Sequence, residues 1–197
     1  MLDNAKYWYL TFYYDFMNKC LDMDRIHFIE GDTDSMYFAV AGNPNEPPSQ
    51  LFNYVIKNKE FYDKHVYEFM PNPSLNTIED EKKILGCAIE KTGENMIALA
   101  PKCYTIFNSD KSVKSLKLKG VSLKKNHIEY DDYKNVILNN SVKVGKNINL
   151  QMNGNQMSKL TINKNALTGC HTKMIVLENQ SCCPFISGLT SKDYICE

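Results

Sequence analysis

Two carboxylates, Asp32 and Asp34, stand in the run His27-Phe28-Ile29-Glu30-Gly31-Asp32-Thr33-Asp34-Ser35-Met36-Tyr37-Phe38. In an extended strand residues i and i+2 point the same way, so both acids could face one site. Like charges held that close repel each other, and a divalent cation shared between them removes the repulsion. Carboxylate and water ligands suit Mg²⁺ or Mn²⁺ rather than zinc. A solvated Asp-rich turn is the plain alternative, because Gly-Asp turns are common. What favours a site is the tight apolar flanking of the acids, which predicts a rigid element rather than a loose loop.

The elements that would position them can be read from periodicity. Residues 4 to 21 lack Gly and Pro, and Ala5, Tyr9, Phe12, Phe16 and Cys20 recur at helical spacing, predicting a helix capped by Asp3 or Asn4. Aromatics in such a stripe are expected to be core rather than a base-stacking platform. Ile26 and Phe28, then Met36, Phe38 and Val40, alternate with polar neighbours on either side of Gly31–Ser35, the pattern of a β-hairpin. Residues 41 to 50 carry three prolines and predict a loop, followed by a second helix from Gln50 to about Phe69 that ends at Met70-Pro71-Asn72-Pro73. Lys83–Lys91 and Met96–Phe107 read as a second hairpin joined at Thr92–Asn95. A short helix is expected over 129 to 140, and only brief strand-like segments beyond it, such as Lys173–Leu177. The fold class is α+β: a helix and antiparallel hairpin over 1–108, followed by a small basic region over 109–197.

Gly31-Asp32-Thr33-Asp34-Ser35 resembles the third palm motif of family B DNA polymerases, in which an Asp-Thr-Asp-Ser turn in a hairpin holds catalytic metal ions. Further features stand in the same order as in that family. An aromatic helix precedes the motif, and Lys102-Cys103-Tyr104 comes after it, similar to a Lys-x-Tyr motif at the base of the thumb that contacts primer–template duplex. A basic stretch then ends in Lys117-Leu118-Lys119-Gly120. The resemblance covers most of residues 4 to 125, and its Asn- and Lys-rich style is similar to that of viral, plasmid and transposon polymerases, many of them protein-primed.

Carried over, the resemblance implies that Asp34 is the main ligand to Mg²⁺ or Mn²⁺ and Asp32 a supporting carboxylate, with Thr33 beside the incoming nucleotide. Lys102, Tyr104, Lys117 and Lys119 would contact DNA. The implied partners are primer–template DNA and dNTPs, and the implied reaction is nucleotidyl transfer with two metal ions. The family's earlier Asp-x-x-Ser-Leu-Tyr-Pro motif and its Lys-x-x-x-Asn-Ser-x-Tyr-Gly helix do not occur here. The expectation is therefore a C-terminal palm and thumb segment of a DNA polymerase that needs the missing N-terminal part and does not polymerise alone. The alternative is a non-catalytic DNA-binding remnant of such an enzyme.

Composition is compatible with both. Of 197 residues, 43% are hydrophobic and 23% charged, and 23 Lys+Arg balance 23 Asp+Glu. That excludes a disordered or fibrous chain. Residues 1 to 100 hold 16 acids and 9 bases, whereas residues 101 to 197 hold 7 acids and 14 bases, so a net −7 precedes a net +7. The basic half includes Lys111–Lys125, a run with six lysines and no acid, suited to a phosphate backbone although a solvated surface is the default for such runs. Arg25 is the only arginine, so DNA contacts are expected to be largely sequence-independent, since lysine lacks the fork that reads bases. No apolar run approaches the roughly 20 residues of a membrane span, and no secretory leader is evident. Seven cysteines without a C-x-x-C pattern predict free thiols in an intracellular protein, and the spacing of Cys170-His171, Cys182-Cys183 and Cys196 matches no closed zinc finger.

Overall fold

The computed structural model describes residues 2–47, 49–72, 74, 86–169, 174–177 and 182–194. It is a mixed α+β protein whose described strands all pair antiparallel. The chain forms two compact units, Met1–Lys117 and Leu118–Glu197. The division falls after residue 117 rather than 108 because Val113–Lys117 pairs with Cys103–Phe107 and extends the first unit's sheet.

In the first unit the aromatic segment is helical, though not as one regular α-helix. It begins as α1 (Leu2–Thr11), passes through a π-helical turn (Phe12–Met17) and closes as α2 (Asn18–Cys20). The wider turn rotates the residues C-terminal to it, and Phe12, Phe16, Met17, Cys20 and Leu21 are all buried in one core with Phe52, Val55 and Val66. The ring of Phe69 packs 5.7 Å from that of Phe12 and 5.4 Å from that of Phe16. Asp3 and Asn4 are not caps: they lie inside the first turn, where the charge of Asp3 complements the helix dipole.

The second helix is shorter than its pattern suggests. It runs as α3 (Lys59–Phe69), and Asn58 caps it by accepting from the Phe61 N–H at 3.1 Å. The preceding residues are drawn off to finish the first helix: the Cys20 carbonyl accepts from the N–H groups of Lys57 at 2.8 Å and Asn58 at 3.0 Å. A helix end has orphan carbonyls, and this segment satisfies one of them instead of coiling.

The first hairpin forms as expected, from β1 (Ile26–Asp32) and β2 (Ser35–Val40). The second does not. Residues 86–91 form no strand, Lys83 to Leu85 lie outside the described residues, and the run expected to be one strand folds back on itself as β3 (Asn95–Ala100) and β4 (Cys103–Phe107). Pro101 cannot donate to a ladder and favours a turn, and Lys102 takes the left-handed conformation (φ +66°) that the second turn position requires. β5 (Val113–Lys117) completes a sheet with β4 in the middle, and Cys103, Tyr104, Thr105 and Ile106 are accordingly all buried.

In the second unit α4 (Tyr130–Asn139) matches the helix expected over 129 to 140, with Glu129 and Asp132 forming a reciprocal capping box. The brief strands expected after it are instead a long hairpin, β6 (Lys143–Asn153) and β7 (Gln156–Leu167), turned at Gly154 (φ +54°) and Asn155 (φ +63°). Short strands β8 (Met174–Val176) and β9 (Cys182–Pro184) come next, the first within the segment expected at Lys173–Leu177.

Core packing of the π turn yields a direct stability test. Phe16 is fully buried whereas Tyr7 is 70% exposed on the same segment. Phe16→Ala is expected to cost about 3–5 kcal/mol, and Tyr7→Ala to stay within about 0.5 kcal/mol of the parent, as measured by urea unfolding.

Candidate functional site

The two faces of the β1–β2 hairpin carry different chemistry, and an extra residue in β1 separates them. Phe28 stands opposite Phe38 while Glu30 stands opposite Tyr37, so Ile29 is a bulge. Cross-strand partners share a face and strand neighbours alternate, which places Ile26, Phe28, Met36, Phe38 and Val40 on one side. Glu30, Asp32, Ser35 and Tyr37 line the other. Met36, Phe38 and Val40 pack against the aromatic core. The opposite face meets the second sheet, where the Tyr37 and Tyr104 hydroxyls are 2.7 Å apart and their rings 4.7 Å.

Asp32 ends β1, and Thr33 and Asp34 form the turn. The Asp32 carbonyl accepts from the Asp34 N–H at 2.7 Å and from the Ser35 hydroxyl at 3.1 Å. Its carboxylate accepts from the Thr33 hydroxyl at 3.1 Å and pairs with the Lys102 ammonium at 3.5 Å. Thr33 has φ +57°, uncommon for a β-branched residue, so the turn is held by its bonds rather than by preference. Strand alternation therefore stops at Asp32. Asp34 is an exposed turn residue, and its relation to Asp32 is set by the turn rather than by the i, i+2 rule. Gly31 has a local steric role: a Cβ there would meet the Phe28 ring at 3.1 Å.

The residues singled out by sequence thus fall into four groups, with Asp34 apart from the rest as the exposed turn residue. Asp32, Thr33, Lys102 and Tyr104 come together, across a separation of 67 residues for the Tyr37–Tyr104 bond that ties the two motifs. Lys117 lies opposite Tyr104 across the β4–β5 ladder. Lys119 belongs to the second unit. Among the described residues, no group of three or more His, Cys, Asp or Glu side chains converges on a metal-sized space. Cys20, Cys87 and Cys183 are free thiols and Cys103 is buried on β4; Cys170, His171 and Cys196 lie outside the described residues.

Glu30 stands out in no sequence motif, yet it is the most unusual group here. It is only 7% exposed, and among the described residues neither carboxyl oxygen has a hydrogen-bond partner. Burial raises its pKa from 4.5 to about 7, with the nearby Asp32 charge adding to the effect. Burial and the bond to Tyr37 also raise the Tyr104 phenol, keeping it protonated. The sequence signal for Glu30 is present but faint: an acid inside an apolar strand, two positions before Asp32. No protein-family model matches this chain, and neither a curated protein nor a solved structure is similar enough to count as a relative.

Glu30 makes a pH signature. Its carboxyl ionises near 4.5 when unfolded but near 7 when folded, so the folded state holds the extra proton between those values. Stability should fall as pH rises through that window and level off above it. Glu30→Gln should match the parent near pH 4 and exceed it near pH 8 by about 3 kcal/mol, in urea unfolding with EDTA present. Equal loss at both pH values would contradict this.

Proposed function

We propose that this chain is a segment of a family B DNA-directed DNA polymerase, its first unit contributing the later part of the palm and its second unit a basic, thumb-like region. The observation that carries this reading is the meeting of two motifs that stand far apart in the sequence. The Asp-Thr-Asp-Ser turn closes an antiparallel hairpin, and the Lys-x-Tyr segment packs against that hairpin through Lys102–Asp32 at 3.5 Å and Tyr104–Tyr37 at 2.7 Å. Hard carboxylate oxygens at the turn fit Mg²⁺ or Mn²⁺.

In this reading Asp34, exposed at the tip, and Asp32, anchored by Thr33, hold the cation. The bound ion would supply charge neutralisation at a phosphoryl centre. Thr33 lies beside the nucleotide site, and its hydroxyl orients the Asp32 carboxylate. Lys102 offers a point charge to a primer phosphate, while Tyr104 is braced on the central strand of its sheet. Lys117 and Lys119 extend the positive charge along the duplex. The substrates are a primer–template and dNTPs, and the remaining aspartate and the nucleotide-gripping helix come from an upstream part.

The 197-residue chain is expected to bind primer–template duplex with little sequence preference and with affinity that falls as salt rises. Alanine at Lys102, Lys117 or Lys119 should each reduce the slope of log K against log salt by about 0.9. Asp34→Asn should leave duplex binding intact while abolishing primer extension when the upstream part is supplied. Retained extension overturns the polymerase reading, extension-free binding that ignores both acids and metal favours a non-catalytic remnant, and absence of duplex binding removes both.

A further inference from the structure

We infer that Glu30 is a protein ligand to the divalent cation, so that the cation's seat is the Glu30–Asp32 face of the hairpin rather than the turn acids alone. This deepens the function proposed above and rests on the hairpin holding a divalent cation. Three independent features lead to it.

The first is the bulge at Ile29. Without it, Glu30 and Asp32 would both share the apolar face of Phe28 and Phe38; with it, both turn to the face of Tyr37. The extra residue thus carries both carboxylates off the apolar face together, and Glu30 and Asp32 stand two apart where strand alternation holds, which is not true of Asp32 and Asp34.

The second is the state of the carboxyl. Glu30 is more than nine-tenths buried, and both oxygens lack partners among the described residues, although donors are a normal condition for burying such a group. The Tyr37 and Tyr104 hydroxyls bond to each other, one donating, and neither bonds to a Glu30 oxygen. A cation with open coordination positions would use these oxygens. Mg²⁺ is commonly held by only one or two carboxylates, with water and substrate phosphates filling the rest.

The third is Lys102. Its ammonium lies 3.5 Å from Asp32 Oδ2 and its side chain is 59% exposed, so a cation already sits beside this acid on a tether that can swing away. Lys102 stands in for the metal's charge at Asp32 and would be released to a phosphate when the metal arrives.

The test titrates Mn²⁺ into the 197-residue chain, monitoring the free-ion electron paramagnetic resonance signal. Parallel titrations use Glu30→Gln, Asp32→Asn, Asp34→Asn and Lys102→Ala. Glu30→Gln and Asp32→Asn should each weaken Mn²⁺ binding roughly tenfold or more, since removing a ligand should cost at least what loss of its supporting partner does. Lys102→Ala should strengthen it severalfold. Bound Mn²⁺ should broaden the Tyr37 and Tyr104 ring resonances, and Glu30→Gln should abolish that broadening while retaining the parent near-ultraviolet circular dichroism. If Asp34→Asn abolishes binding and Glu30→Gln binds as the parent does, the turn acids hold the ion and this inference fails while the function above stands. If the parent binds no Mn²⁺, or binds it with indifference to all the acids, this inference fails, and the function above is decided by duplex binding and primer extension.

Discussion

An acid buried without a partner among the described residues, Glu30, is the constraint on which this hairpin is organised. Elsewhere in the first unit burial is rewarded by aromatic contact, as where Phe12, Phe16 and Phe69 pack ring against ring. Glu30 has no such compensation. Its desolvation is tolerated because the hairpin is held from both sides, by the aromatic core under Met36, Phe38 and Val40 and by the second sheet over Tyr37. A ribbon clamped on two faces cannot slip register to expose the carboxyl, since a shift of one residue would carry every apolar side chain off the core. The same clamping holds Thr33 at a backbone angle that it would not choose in isolation.

The π turn serves that clamp. A regular α-helix through Phe12–Met17 would keep Ala5, Tyr9, Phe12, Phe16 and Cys20 on one narrow stripe. The wider turn brings Met17 and Leu21 into the core as well, broadening the surface on which the hairpin and α3 rest. Tyr13, on the turn itself, stacks at 6.1 Å and 7° on Phe38, so the turn touches the hairpin directly. The Cys20 thiol donates to the Phe16 carbonyl at 3.1 Å, and burial raises its pKa to about 11, which makes it a structural group rather than a nucleophile.

Local chemistry is legible in the sequence where one element decides it. The aromatic helix, the first hairpin and α4 are set by spacing and turn residues read along the chain. The features that escape such a reading depend on a competing partner far away in sequence. Residues 50–58 have a helical pattern, but the Cys20 carbonyl recruits their end. Met96–Phe107 is strand-like throughout, and Pro101 alone signals that it must fold back. The Gly154-Asn155 turn of the long hairpin is a recognised signal for paired strands that the surrounding asparagines obscure. For the site, Asp32 and Asp34 are visible as a motif, whereas the Ile29 bulge and the meeting of Tyr37 with Tyr104 are pairings between strands that no single stretch encodes.

The boundary between the units also changes what the charge pattern means. Split at residue 100, the chain is −7 and +7, as though acids and lysines occupied separate bodies. Split where the structure divides, the first unit holds 17 acids and 13 bases and the second 6 acids and 10 bases, giving −4 and +4. The difference is Asp110 with Lys102, Lys111, Lys114 and Lys117, all of which belong to the unit that carries the acidic hairpin. Lysine and carboxylate therefore share one scaffold, with the pair Lys102–Asp32 at their junction. A bare acidic turn would repel a phosphate chain, and a bare lysine strand would hold one without doing chemistry on it. In the function proposed above, mounting both on packed sheets would let a polyanion be drawn toward the carboxylates, and a divalent cation would supply the charge that lysine alone leaves uncompensated.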